Sequence, residues 1–316
     1  MAIYVPSFYP HFRCLMGDCR HSCCQGWEID IDAESLARYE GMAGEMGERL
    51  RQSIQKTEEG ACFRLDEEER CPFLNGDGLC DLILAAGEDS LCQICADHPR
   101  YRSFYSDRVE MGLGLCCEGA ARLLLSWEGK MDWQPLSGEA DEPWECTPEE
   151  AAFFRARGRL TAVLQDRSRP MDERARSLRS LVRGNRGMEQ GAFRPFMQTL
   201  EYMDDRLPQQ LSHLQEGDMN APLPAHAEVP LEQLLWYFLH RHLPPSLEDG
   251  MYAARLGLCM VCYLTVRGLW ALHYRETGGL SLADMAEYAR LFSGEIEYSD
   301  ENLDDILDDV NWKMEQ

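Results

Sequence analysis

Eleven of the 14 cysteines in this 316-residue chain fall between Cys14 and Cys117. The densest stretch, CLMGDCRHSCCQGW (Cys14–Trp27), carries four of them, the last two adjacent. A chain of this length buries enough apolar surface to fold without covalent cross-links. Its cysteine content is also far below the roughly 8–10% that marks a disulfide scaffold. The first residues, MAIYVPSFYPHFRC, show no basic stretch followed by an apolar run. We therefore expect no secretory signal and a reducing, cytoplasmic setting. There, thiols at this density point to a metal or a cluster rather than to disulfides.

The thiols form three groups. The first is Cys14-x4-Cys19-x3-Cys23-Cys24. The second is Cys71-Pro-Phe-Leu-x5-Cys80 followed by Cys92-x2-Cys95. The third is the pair Cys116-Cys117. Thiolates are soft ligands, and short intervening loops let neighbouring sulfurs converge on one centre. Gly17, Gly26, Gly76 and Gly78 supply the tight backbone turns that convergence needs. Closed zinc sites favour paired C-x2-4-C hooks, which only Cys92/Cys95 and Cys19/Cys23 approach. The irregular spacing and the adjacent thiols favour a [4Fe–4S] cluster, with zinc as the alternative. Cys62, Cys116 and Cys146 read as unligated thiols. Cys259 and Cys262, three apart among Leu256, Leu258, Met260 and Leu264, read as core packing. His240 and His242 read as a helix end rather than a metal pair.

Composition excludes some classes of function. A formal charge of −24 repels phosphate backbones, so nucleic acid is not an expected partner. The same surface attracts cationic groups such as lysine side chains, although it also serves plain solubility. The most apolar run, Ala253–Leu272, is broken by Arg255 and Arg267 and reads as a buried helix, not a membrane span. G-x-S-x-G, H-E-x-x-H and Walker-type phosphate loops are absent. The glycines at Gly112 and Gly114 break the dinucleotide-binding pattern.

The fold reads as mainly α. We expect an irregular cysteine-rich domain over residues 1–130 with a little β, a linker over 131–146, and an all-α domain over 147–316. In the first part, DIDAESLARYEGM predicts a helix capped by Asp32, and Gly26–Ile31 and Ala61–Asp66 alternate enough to be strands. Thr147-Pro148-Glu149-Glu150 carries a capping-box signature and places the boundary near residue 146. Beyond it, apolar residues at spacings of three and four predict successive helices. One of these stops at Gly184. Another runs through GAFRPFMQTLEYMDDRL. A third ends at Pro244-Pro245. A long one runs from Ser246 to about Arg275, and SLADMAEYARLF and ENLDDILDDVNWKM complete the set. No strand–helix alternation appears here, so a parallel α/β sheet is not expected.

These stretches also resemble a known family. Cys14–Asp32, with its C-x4-C-x3-CC-x-GW pattern, is similar to the opening of the flagellin lysine-N-methylase family. CPFLNGDGLCDL (Cys71–Leu82), LCQICADHPR (Leu91–Arg100) and CCEGAARLLLS (Cys116–Ser126) resemble its later signatures in the same order, with Cys117 in the position of the fourth. CPFL…GLC alone is also similar to small cysteine-cluster proteins that chelate zinc or iron. The resemblance covers most of residues 4–126; the helical half is compatible with it but carries no quotable motif. It implies methyl transfer from S-adenosylmethionine to lysine amines of flagellin, and an iron–sulfur cluster. One departure is plain: the C-x3-C-x2-C triplet of radical enzymes is missing, since Cys24 follows Cys23 directly. A neutral amine attacks a sulfonium methyl without radical help, so a polar mechanism suffices.

Nine cysteines are the expected ligands: Cys14, Cys19, Cys23, Cys24, Cys71, Cys80, Cys92, Cys95 and Cys117. Cys71, Cys80, Cys92 and Cys95 suit one four-thiolate site, and the other five a second, which we expect nearest the active site. Trp27, Glu28, Asp30 and Asp32 follow that group and offer an aromatic face beside carboxylates. Trp27 reads equally as a core residue. The alternative arrangement is that all nine serve one cluster, with some thiols unligated. No residue type or spacing marks the catalytic base or the S-adenosylmethionine pocket. Two other classes compete: a zinc-stabilised module that binds a cationic partner, and an iron–sulfur electron carrier. Iron with visible absorption removes the first, and methyl transfer separates the enzyme from the second.

Overall fold

The computed structural model of the protein describes residues 2–57, 60–136, 145–182, 188 and 191–315. The chain is mainly α with a small sheet, and it divides into two compact units. The first comprises residues 1–12, 102–116 and 120–316; the second comprises 13–101 and 117–119. The expected linker at 131–146 lies within the span of the first unit, and its residues 137–144 are outside those described.

Strand β1 (Ala2–Pro6) runs parallel to a strand more than a hundred residues away. In the second unit, α1 (Ala33–Gly41) starts at Asp32, whose carboxylate accepts from the Ser35 amide at 2.9 Å, as the sequence predicts. Helix α2 (Gly44–Ser53) leads into a hairpin of β2 (Ile54–Lys56) and β3 (Ala61–Phe63), with Ile54 opposite Phe63. The strand expected at Gly26–Ile31 does not form. Only two backbone bonds tie it to β3, Ile31 N to Ala61 O at 2.7 Å and Phe63 N to Ile29 O at 3.0 Å. These two bonds make a single bridge, Asp30 opposite Cys62, while Gln25 bridges to Arg70 instead, on the far side of a turn at Gly26 with a φ of +84°. Short helices α3 (Asp81–Ala86) and α4 (Gln93–Asp97) follow. Ile29, Tyr39, Leu50, Phe63, Phe73 and Leu82 form this unit's core.

Strands β4 (Arg100–Phe104) and β5 (Arg108–Leu113) are joined by a tight turn. Helix α5 (Glu118–Leu125) precedes β6 (Trp133–Pro135). The sheet order is β4-β5-β1-β6, with β1 parallel to β5 and antiparallel to β6. No strand is described beyond β6. Helix α6 (Pro148–Leu164) opens on the predicted capping box: Thr147 Oγ1 accepts from Glu150 N at 3.1 Å, and Glu150 Oε2 accepts from Thr147 N at 2.8 Å. Arg157 on α6 is buried with Glu110 of β5, joined by bonds of 2.6 and 2.7 Å.

Helix α7 (Met171–Arg179) follows; the predicted stop at Gly184 lies outside the described residues. The helix expected through GAFRPFMQTLEYMDDRL is instead broken into α8 (Arg194–Met197) and α9 (Arg206–His213). Side chains from the end of the chain capture the backbone between them. Asn302 Nδ2 donates to Glu201 O at 2.7 Å, and Glu295 Oε2 accepts from Met203 N at 2.8 Å. Helix α10 (Glu228–His242) ends near the two prolines as predicted. The expected long helix from Ser246 is interrupted, because the single turn of α11 (Ser246–Asp249) stops at Gly250 in the left-handed region. Helix α12 (Tyr252–Thr277) then begins afresh. It is long and apolar enough to cross a membrane, yet 94% of its most apolar window is buried within the protein. Cys259 and Cys262 are fully buried on it.

Helix α13 (Leu282–Phe292) runs into a π-helical turn, Ser293–Glu297, and α14 (Asp300–Glu315) closes the chain. The π turn delivers Glu297 into the interior. Its carboxylate accepts from Tyr237 Oη at 2.8 Å and pairs with His242 Nε2 at 2.6 Å and Arg241 Nε at 3.3 Å. Burial alone would raise its pKa, but the Arg241 charge and the His242 hydrogen bond hold it at about 2. His242 is itself kept neutral by burial, against the pull of Glu297. The two histidines thus end a helix, as read from the sequence: His240 accepts from Trp133 Nε1 at 2.8 Å and meets Thr161 at 3.1 Å.

Candidate functional site

All nine cysteines singled out by the sequence lie in the second unit, and none forms a disulfide. Their convergence begins with two glycines. A Cβ on Gly17 would meet Asp77 O at 2.6 Å, and Gly78, at a φ of +74°, packs against the Gly17 backbone. Only two residues without side chains allow the Cys14–Cys19 loop to approach the Cys71–Cys80 loop this closely. Cys71 N donates to Cys24 O at 2.8 Å and fixes the next step of the same contact. Asp32 ties in the third segment, because its second oxygen accepts from Gln93 N at 2.8 Å, at the start of the helix carrying Cys95. These two amide bonds hold the Asp32 carboxyl at about 2. Asp32 is therefore a cap that joins α1 to α4.

The sulfurs fall into two neighbourhoods. Cys24, Cys71, Cys80, Cys92 and Cys95 pack on one apolar core, and Cys24 and Cys71 are each close enough to perturb the ionisation of other members. Cys23 responds to Cys24, Cys117 and Cys14, and Cys19 to Glu118 and Cys117. Cys24 thus joins the Cys71–Cys95 set rather than the N-terminal one. The Cys23-Cys24 dipeptide stands where the two neighbourhoods meet.

Thiolates in such a place are costly. Burial pushes Cys71 up to about 12 and Cys19 up to about 11. In the hydrogen-bonded pairs Cys23/Cys24 and Cys92/Cys95, one thiol donates to the other; the acceptor, Cys24 or Cys92, is eased toward the thiolate and its partner is pushed up. A second thiolate in either pair needs a cation to offset repulsion and desolvation. The donor chemistry is that of a soft metal: sulfur only, from four chain segments, exposed at Cys14 and Cys23 and half-buried to buried at the other seven. Among the described residues, however, no three His, Cys, Asp or Glu side chains stand together at metal-binding geometry. The sulfurs are neighbours rather than a preset cage.

Two residues that motif reading passed over stand beside them. Glu118, 2% exposed, accepts from Arg20 N at 2.8 Å and Arg20 Nε at 2.9 Å and lies 3.7 Å from the Cys19 sulfur. His98 follows the helix of Cys95, and its Nε2 is buried without a hydrogen-bond partner among the described residues. Burial and the nearby Arg100 lower its pKa to about 4, so the ring is neutral, the form in which imidazole serves as a nitrogen ligand. Trp27 faces His98, the ring centres 6.3 Å apart, and donates from Nε1 to Cys23 O at 2.7 Å. The CADHP stretch did not single out His98, whose ring faces Trp27 from far along the chain.

Fold and site together define a mainly α chain with a sulfur-rich unit. The comparisons narrow this class. Residues 189–315, the span from before α8 into α14, match the FliB lysine N-methylase C-terminal domain. A 126-residue segment, 38% of this chain, is 29% identical to a lysine-N-methylase of Salmonella choleraesuis and covers 31% of that protein's length. A segment of the same size is 28% identical to the flagellar biosynthetic protein FliU of Salmonella muenchen, covering 75% of it. A lysine-N-methylase of Salmonella typhimurium matches to a similar extent. No solved structure matches. These findings support the resemblance to the flagellin lysine N-methylase family read from the cysteine motifs, and they extend it to the helical half.

Proposed function

We propose that the protein is a protein-lysine N-methyltransferase that moves the methyl group of S-adenosylmethionine to lysine side chains of flagellin in the cytoplasm, and that it carries a cysteine-ligated iron–sulfur cluster, with zinc as the alternative. The observation that carries the reading is the gathering of nine motif cysteines in one unit of a chain whose helical half matches a lysine N-methylase domain. Cys24, Cys71, Cys80, Cys92 and Cys95 are the candidates to hold one centre. Cys14, Cys19, Cys23 and Cys117 are candidates for a second or for an open position. When bound, a cluster with an open iron would supply a site for the amino and carboxylate groups of the cofactor.

In the transfer itself the lysine nitrogen forms a bond to the methyl carbon as the carbon–sulfur bond breaks. The electron pair of that bond leaves with S-adenosylhomocysteine, and the new ammonium loses a proton to solvent or a base. The acidic surface, set by a formal charge of −24, favours approach of a lysine-bearing partner. Trp27, half-buried beside Cys23, offers an aromatic face to a sulfonium or ammonium.

The test uses purified protein, flagellin and S-adenosylmethionine with a labelled methyl group, alongside metal analysis and visible absorption. Label on flagellin lysine, with iron and sulfide in the protein, is the expected result. Absence of transfer by iron-replete protein refutes the enzyme reading, and zinc without iron refutes the cluster. Cys71→Ala and Cys95→Ala should lose metal. If Cys19→Ala and Cys23→Ala keep both iron and transfer, the N-terminal group is not the active centre.

A further inference from the structure

Cys19 and Cys23 sit in a stretch with no regular structure of its own, since no helix or strand lies between Asp18 and Ala33. Its two ends are anchored on the Cys71–Cys80 loop, Gly17 against Gly78 and Cys24 O by the Cys71 amide. Local bonds hold part of what lies between: Cys24 N donates to Ser22 Oγ at 3.2 Å, and Trp27 Nε1 to Cys23 O at 2.7 Å. Neither reaches Cys19. We propose that Glu118, from 98 residues away, is the positioning residue that holds Cys19 to the Cys117 segment for metal binding. The inference rests on the metal-binding reading above and assigns a role to a residue that is not itself a ligand.

A carboxylate that is 2% exposed is costly unless its oxygens are used. Both oxygens of Glu118 are directed at one residue: Oε2 accepts from Arg20 N at 2.8 Å, and Oε1 from Arg20 Nε at 2.9 Å. The guanidinium bond is the lesser of the two, because the Arg20 side chain is 53% exposed and solvent screens it. The amide bond acts on the backbone. Arg20 N–H shares one rigid peptide plane with the Cα and carbonyl of Cys19, so a partner for that N–H fixes where Cys19 stands. The side chain is oriented at the same place, with the Cys19 sulfur 3.1 Å from His21 O and 3.7 Å from Glu118 Oε2. Glu118 directly follows Cys117 in the chain, so one carboxylate joins two of the thiol-bearing segments.

The experiment compares the full-length protein, as purified, with Glu118→Met and Glu118→Gln. Methionine fills the same buried space but accepts no strong hydrogen bond, whereas the glutamine carboxamide oxygen still accepts from Arg20 N. Each protein is alkylated with iodoacetamide and read cysteine by cysteine by mass spectrometry, and hydrogen exchange follows the peptide containing Arg20. Losing the charge-assisted bond should speed alkylation of Cys19 and Cys117 about tenfold in Glu118→Met, while Cys71 and Cys95 stay as protected as in the parent. Exchange at the Arg20 amide should rise in the same variant, and glutamine should restore both readings. Unchanged Cys19 reactivity in Glu118→Met overturns the proposal, and so does equal loss in both variants, which would make the charge rather than the bond essential. Uniform loss at all nine thiols also overturns it, because the role would then be general folding. A parent whose thiols react alike with and without a chelator holds no metal, and that result refutes the metal-binding reading and this inference with it.

Discussion

Replacing Glu297 by glutamine should cost about 3 kcal/mol at neutral pH, and the cost should fade in acid. The folded carboxyl titrates at about 2 against an ordinary 4.5. At about 1.36 kcal/mol per pH unit, that difference is worth about 3 kcal/mol. The amide side chain keeps the shape and one acceptor but loses the charge facing Arg241, which is nearly as buried as Glu297. The sign follows from the depressed pKa. The contribution is fully present above 4.5, where the carboxyl is ionised in both states, and is lost as pH falls toward 2, because the unfolded chain takes up its proton first. The gap between parent and Glu297→Gln should therefore narrow to about 2 kcal/mol at pH 3.5 and close near pH 1. His242 is lowered by burial and raised in part by Glu297, so its acid sensitivity has the same sign in both proteins and is larger in the variant, and the measured gap reads the coupled pair. Urea unfolding followed by circular dichroism at pH 7, 5 and 3.5 measures the gap. A variant as stable as the parent, or a gap independent of pH, would show that the network does not depend on this charge.

Gly47→Ala should destabilise the second unit by at least about 2 kcal/mol, because a Cβ there would meet the Met42 carbonyl oxygen at 1.9 Å and neither backbone can yield cheaply; a thermal melt of the purified variant checks it. Cys259→Ala and Cys262→Ala should each cost about 1–3 kcal/mol of packing while leaving metal content at the parent level, since both thiols are fully buried on α12. Metal analysis showing proportional loss in either variant would place those sulfurs among the ligands instead.

Local chemistry was legible from the sequence. The caps at Asp32 and Thr147, the end of α10 and the buried character of α12 all rest on residues within a few positions of one another. What escaped depends on partners far along the chain. Nothing near Met197 announces that α8 stops there, because Glu295 and Asn302, about a hundred residues on, take the backbone that follows at Glu201 and Met203. Gly250 reads as tolerable within a helix until its φ of +73° is known. Strand β1 is five residues long, and its pairing with β5 is no more local than its register, Ala2 opposite Arg108. At the thiols, the C-x2-C hook of Cys92 and Cys95 was visible. The placement of Cys24 with Cys71 was not, because it follows from the Gly17–Gly78 contact between loops some sixty residues apart.

The interior position of β1 bears on how the protein can be cut. A fragment starting at residue 131 would carry β6 without the strand it pairs with, and would lack β4 and β5 as well. Trimming a dozen residues from the amino terminus would remove an inner strand of the same sheet and leave β5 and β6 with exposed edges, a ready template for aggregation. A truncation that keeps this sheet whole must retain the first twelve residues together with all of β4, Arg100–Phe104, so the cut falls inside the second unit rather than at its boundary. Residues 117–119, which group with the second unit and lead into α5, would stay in such a fragment without the neighbours they cluster with.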